Sequence, residues 1–186
     1  MSATPAIFLD RDGTLNESVG YVNHPSRFRL FPFSVDAVRL IREEGYLAVV
    51  VTNQSGIGRG FYSEQLVVTL HAEFQSRLET AGAKLDGIYY CPHAPSDGCE
   101  CRKPKAGMLL QARDELDIDL AASWIVGDNH TDLEAGWAAG TRAALVKTGF
   151  GEGTLENESS RWPRQPDLVG NDVYRVLCDI FWGSVS

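Results

Sequence analysis

Three of the chain's apolar stretches run straight into polar clusters, and this repeated join limits the folds open to it. Candidate buried strands occur at Ala6–Leu9, Leu47–Val51, Gly87–Tyr90, Trp124–Val126 and Ala143–Val146, with helical patterns between them. Short apolar runs alternating with amphipathic segments predict an α/β domain around a parallel sheet. The clusters are Asp10-Arg11-Asp12-Gly13-Thr14, Thr52-Asn53-Gln54-Ser55-Gly56 and Gly127-Asp128 through Asp132. In a parallel sheet all carboxyl ends lie along one edge, so residues distant in sequence converge there on a common crevice. A ligand site is expected at that edge.

The clearest helix starts at Ser63, a good N-cap, and continues through Leu66, Val67, Leu70, Phe74 and Leu78 to a stop at Gly82. Ser34 to Gly45 repeats the scheme, and Gly107 to Leu116 and Asp132 to Ala139 are shorter candidates. Residues 149–166, rich in Gly, Glu, Ser and Pro, read as a loose loop, after which Asp172 to Trp182 forms a last helix. No internal repeat is present. A length of 186 residues suits one domain over 1–186 with a core that needs no staples.

Seventeen basic and twenty-five acidic residues leave a net charge of −8. Such a surface repels nucleic-acid phosphates and anionic lipid, so neither nucleic acid nor membrane is an expected partner, and a small molecule is. An anionic substrate then needs cations built into its own site. The opening residues carry no basic, apolar targeting pattern, and the longest apolar run, Tyr46 to Val51, is far short of a membrane span. A cytoplasmic protein, monomeric by default, is expected.

Asp10 and Asp12, two positions apart, point the same way in extended chain. Two carboxylates facing one pocket repel, whereas a hard divalent ion such as Mg²⁺ accepts oxygens from them and from Asp128. Alone, the pair would equally suit a turn; the other two strand ends favour the metal. Thr52 offers a hydroxyl, and the amides of Asn53 to Gly56 can turn toward an anion, although a helix cap would look similar. Gly56, Gly58 and Gly60 do not match the dinucleotide spacing, and no P-loop is present. Arg102 and Lys103, followed by Pro104, place cations that can neutralise a phosphate, or simply a solvated surface.

Cys91, His93, Cys99 and Cys101 offer three sulfurs and an imidazole, the ligand set of a closed tetrahedral Zn²⁺ site. With one residue inside each pair, the segment 91–101 reads as a zinc-stapled loop and not as a DNA-reading finger. Cys178 stands apart and reads as packing. His24, His71 and His130 have no comparable partners; His71, inside the long helix, reads as a surface or core residue.

The motifs FLDRDGT, VTNQSG, the lysine of CRKP and VGDNHTD occur in order over residues 7 to 132, and with them the chain resembles the haloacid-dehalogenase (HAD) superfamily of phosphatases. DRDGTLN with GYV, TNQSGIGRG and CPH…CECRKP is similar, more narrowly, to the D-glycero-D-manno-heptose-1,7-bisphosphate 7-phosphatase family; the histidinol-phosphate phosphatases share the zinc loop. The resemblance implies a three-layer Rossmann-like fold and Mg²⁺-dependent removal of the heptose C7 phosphate on the way to nucleotide-activated heptose for surface polysaccharide. It makes Asp10 the nucleophile and Asp12 the acid and base. Mg²⁺ would rest on the Asp10 carboxylate, the Asp12 backbone carbonyl and Asp128. Thr52 and Lys103 would hold phosphoryl oxygens, with substrate contacts at Ser18, Val19, Gly20, Tyr21, Asn53, Gln54, Ser55 and Arg102. Asn129, also counted with the substrate contacts, departs from the family, where Lys or Arg often follows the last-motif Asp. The spacings from Asp12 to Ser34 and from Gly82 to Arg102 leave no room for a cap domain, so an open site is expected. A histidinol-phosphate phosphatase, or a zinc-stabilised binding module without activity, are the competing readings.

Overall fold

A computed structural model of the chain describes residues 3–183. Strands β1 (Ala6–Leu9), β2 (Leu47–Asn53), β3 (Gly87–Cys91), β4 (Trp124–Gly127), β5 (Arg142–Val146) and β6 (Leu168–Gly170) form one parallel sheet in the order β3-β2-β1-β4-β5-β6. The five expected strands are all present, β2 running two residues beyond Val51. Their side chains alternate between two buried layers. Ile7, Leu9, Val50, Val126 and Val146 face one core, and Phe8, Val49, Val51, Ile125 and Leu145 the other. Burial on both faces is why these strands read as continuous apolar runs.

Helices α1 (Ser34–Glu43), α2 (Glu64–Thr80) and α6 (Val173–Trp182) cover the first face, and α3 (Gly107–Leu116) and α4 (His130–Ala139) the second. The Ser63 hydroxyl accepts the Leu66 amide at 3.2 Å, capping α2 as its sequence predicts. The segment 149–166 departs from the expected loop. It contains α5 (Gly151–Glu158) and a single 3₁₀ turn at Ser159–Arg161. This helix buries only Gly151 and Thr154 in its own span, so almost no apolar periodicity marks it in the sequence. β6 was also not expected: three residues pairing with β5 through Ala144, Leu145 and Val146 are too few to show a pattern.

The winding reverses between β1 and β4, the central pair, each continuing into a different half of the sheet. Such a switch point opens a crevice beyond the carboxyl ends of the two strands. Asp10 follows β1 and Asp128 follows β4, so the topology alone sets two acidic residues on the walls of that crevice. Between Asp12 and α1 the chain holds only a 3₁₀ turn, Pro25–Arg27, and no cap domain is inserted. Among the described residues no helix is long and apolar enough to cross a membrane.

Candidate active site

The crevice has a volume of about 260 Å³, suited to a small solute, and all three strand-end clusters open into it. The Asp10 amide donates to the Val126 carbonyl of β4 at 2.9 Å, locking the two central strand ends together. Lys103, from the loop before α3, reaches in fully buried. Its ammonium donates to Asp10 Oδ1, Asp132 Oδ1 and the Val51 carbonyl, each at 2.7 Å. Three acceptors use all three of its protons and hold it rigidly at the floor.

One ammonium does not balance the acids around it. Asp10, Asp128 and Asp132 offer carboxylate oxygens within 4.8 Å of one another, and all three are buried. Burial, with the neighbouring Asp132 and Asp12 charges against the counteracting Lys103, pushes the Asp10 carboxyl up to about 7. Burial and the Asp10 and Asp132 charges push Asp128 to about 8. Burial alone would lower the Lys103 pKa, but Asp10 and Asp132 outweigh it and hold the ammonium charged. The upward shifts on acids and base agree: buried negative charge is in excess. An all-oxygen, net-negative cluster of this kind fits a hard divalent cation such as Mg²⁺.

That excess sets a pH dependence. Mg²⁺ held by this cluster would bind the ionised carboxylates, so below about pH 7 to 8 it would compete with protons on Asp10 and Asp128, and its affinity would rise with pH through that window. Titration calorimetry is expected to give about tenfold or more tighter Mg²⁺ binding at pH 8.5 than at pH 6, with protons released mainly at the lower pH. Equal affinities at the two pH values would contradict the assignment of these carboxyls to the ion.

Asp128 sits in a cradle without side chains. Its Oδ2 accepts the Phe150 amide at 2.8 Å, and a Cβ on either Gly13 or Gly149 would lie 2.0 Å from that same oxygen. Gly149 also has a φ of +60°, which disfavours any other residue. Gly149→Ala is therefore expected to displace the carboxylate and weaken Mg²⁺ activation about tenfold or more, read as a rightward shift in the Mg²⁺ dependence of activity. An unchanged curve would remove the cradle from the account.

Asp12 also lines the crevice, but its carboxylate is held apart from the acidic cluster. Arg11 Nη2 donates to its two oxygens at 3.0 and 2.7 Å, Asn16 Nδ2 at 2.8 Å and Gln54 Nε2 at 3.1 Å. Gln54 is itself fixed, donating to Thr52 Oγ1 at 2.9 Å and accepting from the Tyr62 hydroxyl at 3.0 Å. Asn53 bonds the Lys103 backbone in both directions, amide to carbonyl and carbonyl to amide, each at 3.1 Å.

Cys91, His93, Cys99 and Cys101 form the second cluster. Sulfur–sulfur separations are 3.1 to 3.5 Å, and His93 Nδ1 lies 3.6 Å from Cys91 and 3.2 Å from Cys101. The edge of a tetrahedron of sulfurs about zinc is about 3.8 Å, so the four atoms are already gathered to nearly the required size, and the cluster could bind zinc. The loop is tied to the crevice. The Gln54 amide donates to the Cys91 carbonyl and the Gly58 amide to that of Pro92, both at 2.8 Å. A Cβ at Gly58 would come within 2.5 Å of the Ala94 nitrogen, so this close approach needs glycine.

Of the residues named from the sequence, Asp10, Asp12, Ser18, Gly20, Tyr21, Thr52, Asn53, Gln54, Ser55, Lys103, Asp128 and Asn129 line the crevice. Val19 and Arg102 do not. Val19 packs on the core and gives its carbonyl to Arg27, while Arg102 lines a neighbouring hollow beside Cys99 and Pro104. Asn129, read as a missing cation, caps α4 by accepting the Thr131 amide, and Asp132 accepts the Asn129 amide in return. Tyr62 and Phe150 line the site without any sequence signal, and Thr131 and Asp132 line it from within the strand-end cluster 127–132, where neither is assigned a role from sequence. Asp132 carries a second signal, as the acidic member of that Asn-x-x-Asp cap.

The chain matches the HAD-hydrolase-like family model over residues 100–176. It is 49% identical over 155 residues to the D-glycero-beta-D-manno-heptose-1,7-bisphosphate 7-phosphatase of Yersinia pestis, covering 79% of this chain and 82% of that protein. The Haemophilus influenzae protein of the same name is 48% identical over 80% of this chain and 86% of its own. The crystal structure of D,D-heptose 1,7-bisphosphate phosphatase from B. bronchiseptica, complexed with magnesium and phosphate, superposes with a TM-score of 0.88 at 34% identity, covering 97% of this chain and 99% of that one.

Proposed function

Because the chain belongs to the D-glycero-D-manno-heptose-1,7-bisphosphate 7-phosphatase family of HAD-like hydrolases, we propose that it removes the C7 phosphate of a heptose 1,7-bisphosphate, in the β form, through a phosphorylated Asp10. The observation that carries the reading is the meeting of Asp10, Asp128 and Lys103 at the β1–β4 switch point.

The Asp10 carboxylate attacks phosphorus, the bond to the sugar oxygen breaks, and an acyl phosphate forms on Asp10. Asp12, taking up a proton from solvent as substrate displaces one of the donors on its oxygens, gives that proton to the departing oxygen, which leaves it ionised and able to take a proton from the water that next attacks the acyl phosphate. Phosphate is released and both aspartates return to their starting states. As Asp10 turns its oxygen to phosphorus, Lys103 exchanges its contact with Asp10 for a phosphoryl oxygen while keeping Asp132 and the Val51 carbonyl, and the Thr52 hydroxyl holds another, free to donate because it accepts from Gln54. When bound on the Asp10 and Asp128 carboxylates and the Asp12 backbone carbonyl, magnesium supplies the positive charge that lets an anionic nucleophile approach an anionic phosphoryl group.

Zinc on the four-ligand cluster acts as a staple, fixing the loop that carries Arg102 and Lys103. Ser18, Gly20, Tyr21, Ser55 and Asn129 contact the sugar. The protein works in the cytoplasm as a single-domain monomer, without nucleic acid or membrane, and supplies heptose metabolism. Steady-state comparison of both heptose bisphosphate anomers with histidinol phosphate, with the released position read by ³¹P NMR, tests this. The β-heptose bisphosphate is expected to lead in kcat/KM by about a hundredfold or more over histidinol phosphate. A preference for histidinol phosphate would reassign the substrate.

A further inference from the structure

Arg11 is the largest of the fully buried side chains, and the reaction as described gives it no role of its own. Its guanidinium bridges two elements. Through Nη2 it holds both oxygens of Asp12, and Nη1 lies 2.9 Å from Nε2 of His71, a buried residue on α2. The Phe28 ring lies 5.5 Å from the guanidinium carbon, and Phe74, three residues after His71 on α2, packs edge-on against Phe28 at 5.3 Å. His71 also packs edge-to-face with Tyr90, ring centroids 5.5 Å apart. Burial and the adjacent Arg11 charge hold the imidazole down, to about 3, so it stays neutral and can accept.

An arginine has no acceptor atom, so Nε2 of His71 must be the unprotonated nitrogen of the pair, and the proton sits on Nδ1. The guanidinium is planar and presents its donors in a fixed fork. Fixing Nη1 on α2 therefore fixes where Nη2 points, and with it the orientation of the Asp12 carboxylate. Without the His71 acceptor, a buried N–H of a charged group loses its partner and the fork can rotate to find another.

We propose that His71 is a positioning residue, holding Arg11 so that Asp12 faces the leaving sugar oxygen. The proposal rests on Asp12 serving as the acid, and the test keeps the two apart. Proton donation matters for an alkoxide leaving group and hardly at all for p-nitrophenolate, and kcat/KM reports the step in which the leaving group departs. His71→Leu should lower kcat/KM on heptose bisphosphate by about tenfold or more and on p-nitrophenyl phosphate by less than about threefold. His71→Gln, whose carbonyl can accept from Arg11, should stay within about threefold of wild type on both. Equal losses on the two substrates, or a Gln variant as poor as the Leu variant, would show a merely structural role and overturn the proposal. Asp12→Asn is the control for the underlying reading: normal heptose bisphosphate turnover in that variant removes the acid itself, whereas its loss beside a fully active His71→Leu removes only the positioning. If the Leu variant does not fold, ¹⁵N chemical shifts of the wild-type protein decide: an unprotonated Nε2 on His71 is expected, and a protonated one would overturn the contact.

Discussion

Asp10→Asn abolishes turnover, by about 10⁴-fold or more, in a protein that stays folded. The amide keeps the shape of the carboxyl but cannot attack phosphorus, and Asp12, the other carboxylate after β1, is engaged by Arg11, Asn16 and Gln54. Folding survives because of the electrostatics described above. Burial already holds the Asp10 carboxyl at about 7, so removing its charge relieves repulsion with Asp128 and Asp132. Lys103 keeps two acceptors, Asp132 and the Val51 carbonyl. Magnesium-free Asp10→Asn should therefore melt no lower than the wild type in a thermal scan at pH 8. Residual activity within tenfold of wild type would exclude Asp10 as the nucleophile.

Lys103→Met does the opposite, and its effect on stability is the larger. The methionine is of similar length, but it leaves Asp10 and Asp132 facing one another, buried, without the ammonium between them. Breaking such a pair by removing one partner costs about 3 to 5 kcal/mol. For a domain of this size that is a fall in Tm of roughly 6 to 20 °C. Turnover should vanish as well, since the same ammonium holds the phosphoryl group. The loss of stability should grow from pH 6 to pH 8.5, because protonation of Asp10, whose carboxyl burial already pushes up to about 7, relieves it at the lower pH. Urea denaturation at both pH values checks the sign; a variant as stable as wild type at pH 8.5 would remove Lys103 from its place as counter-charge.

What the sequence made legible follows from how local each signal is. Strands β1, β2 and β4 are buried on both faces, so they stand out as apolar runs, and Asp10, Thr52 and Asp128 are marked by following or closing them. A parallel sheet then brings them together whatever lies between. Asp132 is different. It sits on the first turn of α4, where an acidic residue is ordinary, and its bond to Lys103 joins segments that no periodicity relates. Tyr62 and Phe150 enter the crevice from loops for the same reason unannounced. Asn53 and Gln54 lie where substrate contacts were expected, yet both side-chain amides are engaged inside the protein, which only coordinates reveal. The edge strand β6 and the helix α5 before it were missed because α5 buries so little of itself and β6 is three residues long.

The central claim is that the oxygen capturing phosphorus belongs to Asp10. Acid quenching during turnover on heptose 1,7-bisphosphate, followed by borohydride reduction, converts a phosphorylated aspartate to homoserine, which peptide mass spectrometry locates. Homoserine at position 10, formed only when substrate and Mg²⁺ are both present, is the expected result. Homoserine at position 12 or 128 instead, or none at any aspartate while phosphate is being released, would contradict it.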